Sequence, residues 1–295
     1  MIIARLMGGI GNQMFQYAFG RRLADGLGVE LRLDTAAYRR DAKRSFMLDQ
    51  WRADAVPASA AEVAALGGDR VQDDAGPLRS RLARLQGDPP AVVRERGFAF
   101  DPALIAVRDG SYVVGYWQSE RYFAPAAERL RGEFVPRREL SPAAAALAGE
   151  MAAGESVSVH VRRGDYVHER RTARVHGVCD EAYYARCFRL LAERLAAPRL
   201  YIFSDEPAWV REHFAAPFPK VVVSSGGPGL EASELWLMSR CRHHVIANSS
   251  FSWWGAWLGR DPAGLVLLPR HWFRKDGDVD GPACAGIRPE GWTAV

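Results

Sequence analysis

Ser156-Val157-Ser158-Val159-His160-Val161-Arg162-Arg163-Gly164-Asp165-Tyr166 is the stretch whose reading decides the fold. Valines alternate with serines and a histidine at the period of a strand, and the run breaks off into a charged turn. Downstream, 200–203, 220–224, 245–247 and 265–268 read as further strands, with amphipathic helices over 181–196, 207–214, 231–242 and 250–258 between them. Strand and helix in alternation predict an α/β fold built on a parallel, doubly wound sheet. Within 181–196, Tyr184, Cys187, Leu191 and Leu195 share one helical stripe, which assigns Tyr184 and Cys187 to the core.

Upstream the pattern is sparser. An apolar run from Ile2 to Leu6 ends in Gly8-Gly9-Ile10-Gly11, followed by a helical pattern over 13–24 and a strand over 29–34, a β-loop-α-β unit. From Pro57 to Gly97 the periodicity is too weak to place elements. Ser141-Pro142, a capping serine with proline at the first helical position, opens an Ala-rich helix that ends near Gly154. The domain junction is expected there, giving domains of 1–154 and 155–295.

A chain of 295 residues, 48% hydrophobic and 25% charged, has room for two globular domains. Its four cysteines, Cys179, Cys187, Cys241 and Cys284, form no C-x-x-C pair, so neither a disulfide framework nor a structural zinc is indicated. No stretch approaches the ~18 to 20 apolar residues of a membrane helix, and polar residues interrupt the N-terminus where a signal peptide needs an apolar core. These features predict a cytoplasmic protein. The net charge of +4 is dispersed, which points away from nucleic acid. The basic residues are almost all arginine, with lysine only at Lys43, Lys220 and Lys275, so a single arginine carries little information without its neighbours.

In doubly wound sheets ligands bind beyond the carboxyl ends of the strands. There the second half presents Arg162, Arg163 and Asp165; Ser204 and Asp205; Ser224, Ser225 and Gly226; and Asn248, Ser249 and Ser250. Adjacent arginines before a glycine offer planar forks for phosphate oxygens, and His160 lies on the same strand face as Arg162. A surface Arg–Asp turn is the plainer alternative, and His160 on the same face puts the phosphate reading ahead of it. Asn248-Ser249-Ser250 places hydroxyls and free N–H groups at a helix start, an anion site that is compatible with ordinary capping. Asp205 suits either the N1–H and 2-amino donors of guanine or a helix cap before Pro207. Trp253, Trp254 and Trp257 are assigned to packing between helix and sheet.

Gly8-Gly9-Ile10-Gly11 approaches a dinucleotide fingerprint, but the third glycine is replaced by Met14. Asp34, after the next strand, keeps a nicotinamide or flavin oxidoreductase as a rival. Asp278-Val279-Asp280 has the D-x-D form of metal-dependent glycosyltransferases, yet it stands in a Gly- and Asp-rich loop, so no metal is expected. A non-catalytic glycan-binding module gives no reason for so complete a polar rim.

Together these residues resemble the inverting alpha-1,2-fucosyltransferase family, in its bacterial branch. The likeness is carried by 8–17, 115–123, the H-x-R-R-G-D-Y string from His160 to Tyr166, Asn248 to Trp257, 268–273 and 289–292, and so spans nearly the whole chain. The region 57–97 shows no such pattern and is a candidate for acceptor determinants. The resemblance implies a GT-B-like fold of two Rossmann-like domains, an N-terminal acceptor domain and a C-terminal donor domain with a cleft between them. It implies transfer of L-fucose from GDP-fucose to a galactose hydroxyl with inversion and without a metal or other cofactor. It also implies an acceptor glycan made at the inner face of the membrane, hence peripheral contact there.

By motif match, Arg162 and Arg163 would take the phosphates, His160 and Asp205 would lie near the guanosine, and Ser249 and Ser250 would bind the pyrophosphate. Asn12 would face the donor from across the cleft. A glycosyltransferase using another nucleotide sugar remains the alternative, because a phosphate grip does not read the sugar. Inversion needs either a base for the attacking hydroxyl or a late attack on a nearly free cation. Asp165 and Glu169 are the candidate bases, Asp165 equally a partner of Arg163 and Glu169 equally a solvated loop acid.

Overall fold

The computed structural model describes the chain except Arg40, Ala42, 72–88, Pro90, 224–228 and Arg260, and the side chain of Arg171. Ser224, Ser225 and Gly226 of the expected rim, and part of 57–97, therefore lie outside the described residues. The chain forms two compact units: Met1–Asp49 with Ala53–Glu133, and Gln50–Arg52 with Phe134–Val295.

The first unit holds strands β1 (Ile2–Arg5), β2 (Leu31–Asp34), β3 (Val92–Arg94) and β4 (Ser111–Val114) in a parallel sheet of order β2-β1-β4-β3. Helix α1 (Ile10–Leu27) follows β1 and closes on Gly28 at φ 65, whose N–H bonds back to Ala24 and Asp25. A Cβ at Gly20 would stand 2.7 Å from Leu31 and 3.0 Å from Ala4, so glycine lets α1 lie directly on β1 and β2. Two shorter helices, α2 (Ala60–Ala65) and α3 (Ala127–Glu133), complete the regular helices described in this unit.

The second unit is built on the alternation read from the sequence. Strands β5 (Ser156–Val161), β6 (Arg199–Ser204), β7 (Lys220–Val222), β8 (His243–Val245), β9 (Val266–Leu268) and β10 (Thr293–Ala294) form a parallel sheet of order β10-β9-β8-β5-β6-β7. Helices α4 (Pro142–Ala153), α5 (Gly164–His168), α6 (Arg170–Val175), α7 (Glu181–Arg194), α8 (Pro207–His213), α9 (Glu231–Met238) and α10 (Ser250–Leu258) surround it. Pairing of β5 with β6 sets Val157 and Val159 beside Leu200 and Ile202, and this face packs on Tyr184, Cys187 and Leu191 of α7 and Val210 of α8. The opposite face carries Tyr201 and Phe203 against Met151 of α4 and Leu237 and Met238 of α9. Tyr184 and Cys187 are core residues, and Trp253, Trp254 and Trp257 are buried, as expected.

Helix α4 corrects the domain junction. Ser141 caps it by accepting the Ala144 N–H, as its sequence predicts, but Ala148 and Met151 pack on the second sheet, so the units part at 133/134 rather than after Gly154. The excursion Gln50–Arg52 also belongs to the second unit: Trp51 meets Phe134 edge-on at 5.6 Å, and Phe134 meets Trp254 at 5.2 Å.

Both sheets reverse direction beside their first strand. In the second, β5 is flanked by β6 on one side and β8 on the other; in the first, β1 is flanked by β2 and β4. Connections leave such a pair in opposite directions and open a crevice at the carboxyl ends, the usual ligand position of this architecture.

Candidate functional site

At the switch point of the second sheet the chain leaves β5 through Arg162 and Arg163. Because Val161 pairs with Ser204, these arginines emerge beside Asp205 and Glu206 at the end of β6. The Arg162 guanidinium bonds Asp165, one turn ahead in α5, and lies 3.1 Å from Asp205 Oδ2. Its Nε is buried without a hydrogen-bond partner. Burial alone would lower the Arg162 pKa, but Asp205 and Asp165 outweigh it and raise the value, so the cation is fixed. A Cβ at Gly164 would stand 2.3 Å from Asp205 Oδ2; glycine here makes room for the carboxylate that holds Arg162.

Arg163 is placed differently. Its backbone N–H donates to Asp205 Oδ1 at 3.0 Å, its Nε donates to Glu206 Oε2 at 3.0 Å, and its guanidinium lies 3.6 Å over the ring of Trp209. His168 Nε2 approaches Glu206 Oε1 at 2.9 Å. Both arginines expected to take phosphates are held by neighbours: Arg162, whose Nε is unpartnered, by two carboxylates, and Arg163 by a carboxylate at its Nε and by an indole. Asp165, expected as a partner of Arg163, is bound to Arg162. Asp205, expected at a guanine edge or as a helix cap, has both oxygens engaged by the arginine pair, and α8 is entered through Glu206 instead. Glu206 and Trp209 were not singled out by the sequence reading. Their signal was there, since Glu206 follows Asp205 and Trp209 stands three residues further along a helix.

His160 is 4% exposed, and its Nδ1 has no partner. Burial, with Arg162 nearby, pushes its pKa down to about 3, so the ring is neutral at physiological pH. It faces Phe251 of α10 at 5.6 Å. Tyr184 donates to the His160 carbonyl at 2.8 Å, which fixes the end of β5 from the opposite helix layer.

Beyond β8, Asn248 is a structural pin. Its amide donates to the carbonyls of His176 at 2.9 Å and Trp272 at 3.2 Å, while its own carbonyl accepts from Tyr166 at 3.1 Å. Ser249 occupies the cap position of α10, but its side chain makes no capping bond, and Ser250 opens the helix half-buried. Ordinary side-chain capping is therefore not what Ser249 does. Glu169 stands half-buried between α5 and α6, with the Thr172 hydroxyl 3.5 Å from its carboxylate.

In the first unit the glycine loop is filled from within. Gly8 has φ +78, and an added Cβ would stand 2.5 Å from Asn12 Nδ2. Asn12 Oδ1 accepts from Gln118 at 2.9 Å. Gln13 bridges Gly8, Ser45 and Met47; Gln16 bridges Met7 and Gly115; both are fully buried. Asp34, the residue a ribose would need, is 7% exposed and accepts from Tyr112 at 2.7 Å and from the Ala36 N–H at 2.9 Å. Its carboxylate is spent inside the fold, which removes the support for an oxidoreductase. Asp280 of the D-x-D string is paired with Arg288. No helix among the described residues is long and apolar enough to cross a membrane.

Two parallel sheets, each with a polar switch point, are the arrangement of GT-B-like glycosyltransferases. Residues 96–273 match the family described as Glycosyl transferase family 11. The chain is 31% identical to the alpha-1,2-colitosyltransferase of Escherichia coli, over 100% of this chain and 99% of that protein. It is 36% identical to the O-antigen biosynthesis glycosyltransferase WbnK of Escherichia coli over 40% of this chain and 39% of that one. A mutant of Arabidopsis thaliana FUT1 in complex with GDP shares the fold, with TM-score 0.51 and 12% identity over 98% of this chain and 74% of that one. The protein belongs to glycosyl transferase family 11 and is a glycosyltransferase.

Proposed function

We propose that the protein is an alpha-1,2-fucosyltransferase that moves L-fucose from GDP-fucose to a galactose hydroxyl of a glycan, with inversion and without a metal. The observation that carries this reading is Arg162: a half-buried guanidinium held by two carboxylates at the switch point of the second sheet, with its buried Nε–H unpartnered. Breaking the bond between fucose and phosphate builds negative charge on GDP and oxocarbenium character on the sugar. A donor fixed in advance beside the leaving phosphate stabilises that charge more than the ground state and needs no reorganisation when it forms. Arg162 supplies the positive charge that a divalent ion supplies elsewhere, so transfer persists in EDTA.

Asp165, Asp205 and Gly164 position Arg162. Arg163 stays with Glu206 and Trp209 and shapes the loop. Ser249 and Ser250 offer hydroxyls and helix N–H groups to the diphosphate, and neutral His160 offers a hydrogen bond that does not change with pH. The second unit takes the donor; the first takes the acceptor, with Asn12 serving the reaction from its glycine loop. The attacking hydroxyl loses its proton to Glu169, or late and unassisted to solvent. Loss of the acid limb of the rate–pH profile in Glu169→Gln assigns the base, whereas an unchanged limb in that variant and in Asp165→Asn selects the unassisted route.

Colitose, which is fucose without its 3-hydroxyl, is the second donor reading, favoured by the full-length relative that carries that name. Thermal shift against GDP, UDP, CDP and NADH, followed by transfer from GDP-fucose and GDP-colitose to a beta-galactoside, tests the proposal. Selective stabilisation by GDP with faster transfer from GDP-fucose supports it. Faster transfer from GDP-colitose replaces the sugar; stabilisation by another nucleotide alone overturns the reading.

A further inference from the structure

Outside the charged switch point, the described titratable side chain least explained by packing is Glu95, immediately after β3. Its Oε2 accepts the backbone N–H groups of Tyr116 at 2.6 Å and Trp117 at 2.9 Å, while Oε1 is buried with no partner. The turn it holds is unusual: Trp117 sits at φ 58, a left-handed conformation that strains a bulky residue. A Cβ at Gly115 would stand 2.4 Å from Glu95 Cβ and 2.8 Å from Oε2, so the approach of the carboxylate needs glycine there. The Trp117 indole is itself fully buried and stacked on Phe19 at 4.1 Å, which holds the strained residue in place. The next residue, Gln118, donates to Asn12, and Gln16 holds the Gly115 carbonyl.

We propose that Glu95 is a positioning residue for transfer: its ionised carboxylate clamps the turn 115–118 after β4 and, through Gln118, sets the orientation of Asn12 at the switch point of the first sheet. The proposal rests on the reading above, in which Asn12 serves the reaction. An anionic oxygen accepting two amides is the geometry that fixes a backbone turn most firmly. A purely structural carboxylate, however, would leave no oxygen buried and unpartnered, since that costs free energy without return.

Burial pushes the Glu95 pKa up to about 7, against the opposing effect of the two N–H groups. The clamp is therefore complete above pH 7 and weakens as pH falls through it. Around it, Tyr122 is raised to about 12 and Tyr38 is raised by burial, so both stay neutral through that window. Arg121 and Asp101 lie beside Tyr122, and Arg44 and Asp41 beside Tyr38. Arg94 and Arg96 flank Glu95 in the chain, and Tyr116 presents to it a backbone N–H.

The experiment compares kcat/KM against pH, and amide exchange of peptides covering 115–118 corrected for intrinsic rates, in the wild type, Glu95→Gln and Gln118→Ala. The expected result is a wild-type inflection near pH 7 that is absent in Glu95→Gln, with at least a tenfold loss of kcat/KM at pH 8. Wild-type protection of 115–118 rises through the same pH. Adding Gln118→Ala to Glu95→Gln then causes less further loss than Gln118→Ala causes alone. An unchanged inflection in Glu95→Gln, pH-independent protection in the wild type, or additive losses each overturn the proposal. The exchange measurement stands even where Glu95→Gln does not fold. A wild type that transfers sugar yet shows these negative results sinks only the role of Glu95, whereas one that transfers none sinks the function.

Discussion

The loops after β5 and β1 occupy equivalent places, each at the switch point of a parallel sheet, and they are filled with opposite chemistry. After β5, arginines and carboxylates are packed so that one guanidinium keeps a free donor. After β1, neutral amides close on each other: Asn12 with Gln118, Gln13 with Gly8 and Ser45, Gln16 with Met7 and Gly115. Topology supplies the crevice, and side chains decide what enters it. Under the proposed function the first loop takes the dianionic leaving group and the second the neutral, hydroxyl-bearing partner.

The contrast is broken most directly at Arg162. Arg162→Ala is expected to lower kcat by two to three orders of magnitude, about 3 to 4 kcal/mol of transition-state stabilisation, with GDP-fucose as donor. Arg162→Lys should still lose much of it, because a point charge does not replace the fork. Near wild-type turnover in the lysine variant removes the bidentate role. Arg163→Ala sharpens the distinction between the neighbours: its turnover should fall far less, while urea unfolding shows a loss of about 1 to 2 kcal/mol from the broken Glu206 and Trp209 contacts.

Gly164→Ala comes next. Its Cβ meets Asp205 Oδ2 at 2.3 Å, so the carboxylate must withdraw from Arg162, and kcat should fall by roughly tenfold with GDP affinity reduced. In the neutral loop, Gln13→Ala should cost about 1 to 3 kcal/mol of stability by orphaning the Met47 N–H, read by denaturant midpoint, and leave GDP binding by the second unit unchanged.

The effect confined to stability at low pH concerns His160. His160 holds a pKa of about 3 in the fold against about 6.5 unfolded, so the unfolded chain takes up the proton first. Stability is complete above pH 6.5 and falls as pH drops toward 3, by up to about 1.4 kcal/mol per pH unit. His160→Gln should reduce the slope of unfolding free energy between pH 6.5 and 5 by about that amount. An identical slope shows that the ring titrates normally.

Much of the second sheet was legible because its strands and helices carry clean periods; 181–196 was read as a helix and is one over Glu181–Arg194. The short strands β3 and β4, three and four residues long, gave no comparable period. At the site, the sequence brought forward Arg162 and Asp205 as separate candidates. It did not show that they touch, because their adjacency follows from the pairing of β5 with β6 across more than forty residues. The different fates of Arg162 and Arg163 were invisible for the same reason: both are arginines after one strand, and only the position of Glu206 and Trp209 separates them. The helix α4 was read correctly, yet which sheet it joins depends on Met151 finding Tyr201 and Phe203.

Trp51 has a consequence for how such chains can be recombined. It meets Phe134, which in turn meets Trp254, from a three-residue excursion in the middle of the first half, so the second unit is not encoded by one continuous segment. A hybrid that joins the first 133 residues of one relative to the remainder of another imports a foreign tryptophan beneath a native aromatic pair. Successful shuffling would have to carry residues 50–52 along with the C-terminal portion, making this triplet a hidden part of that portion's inheritance.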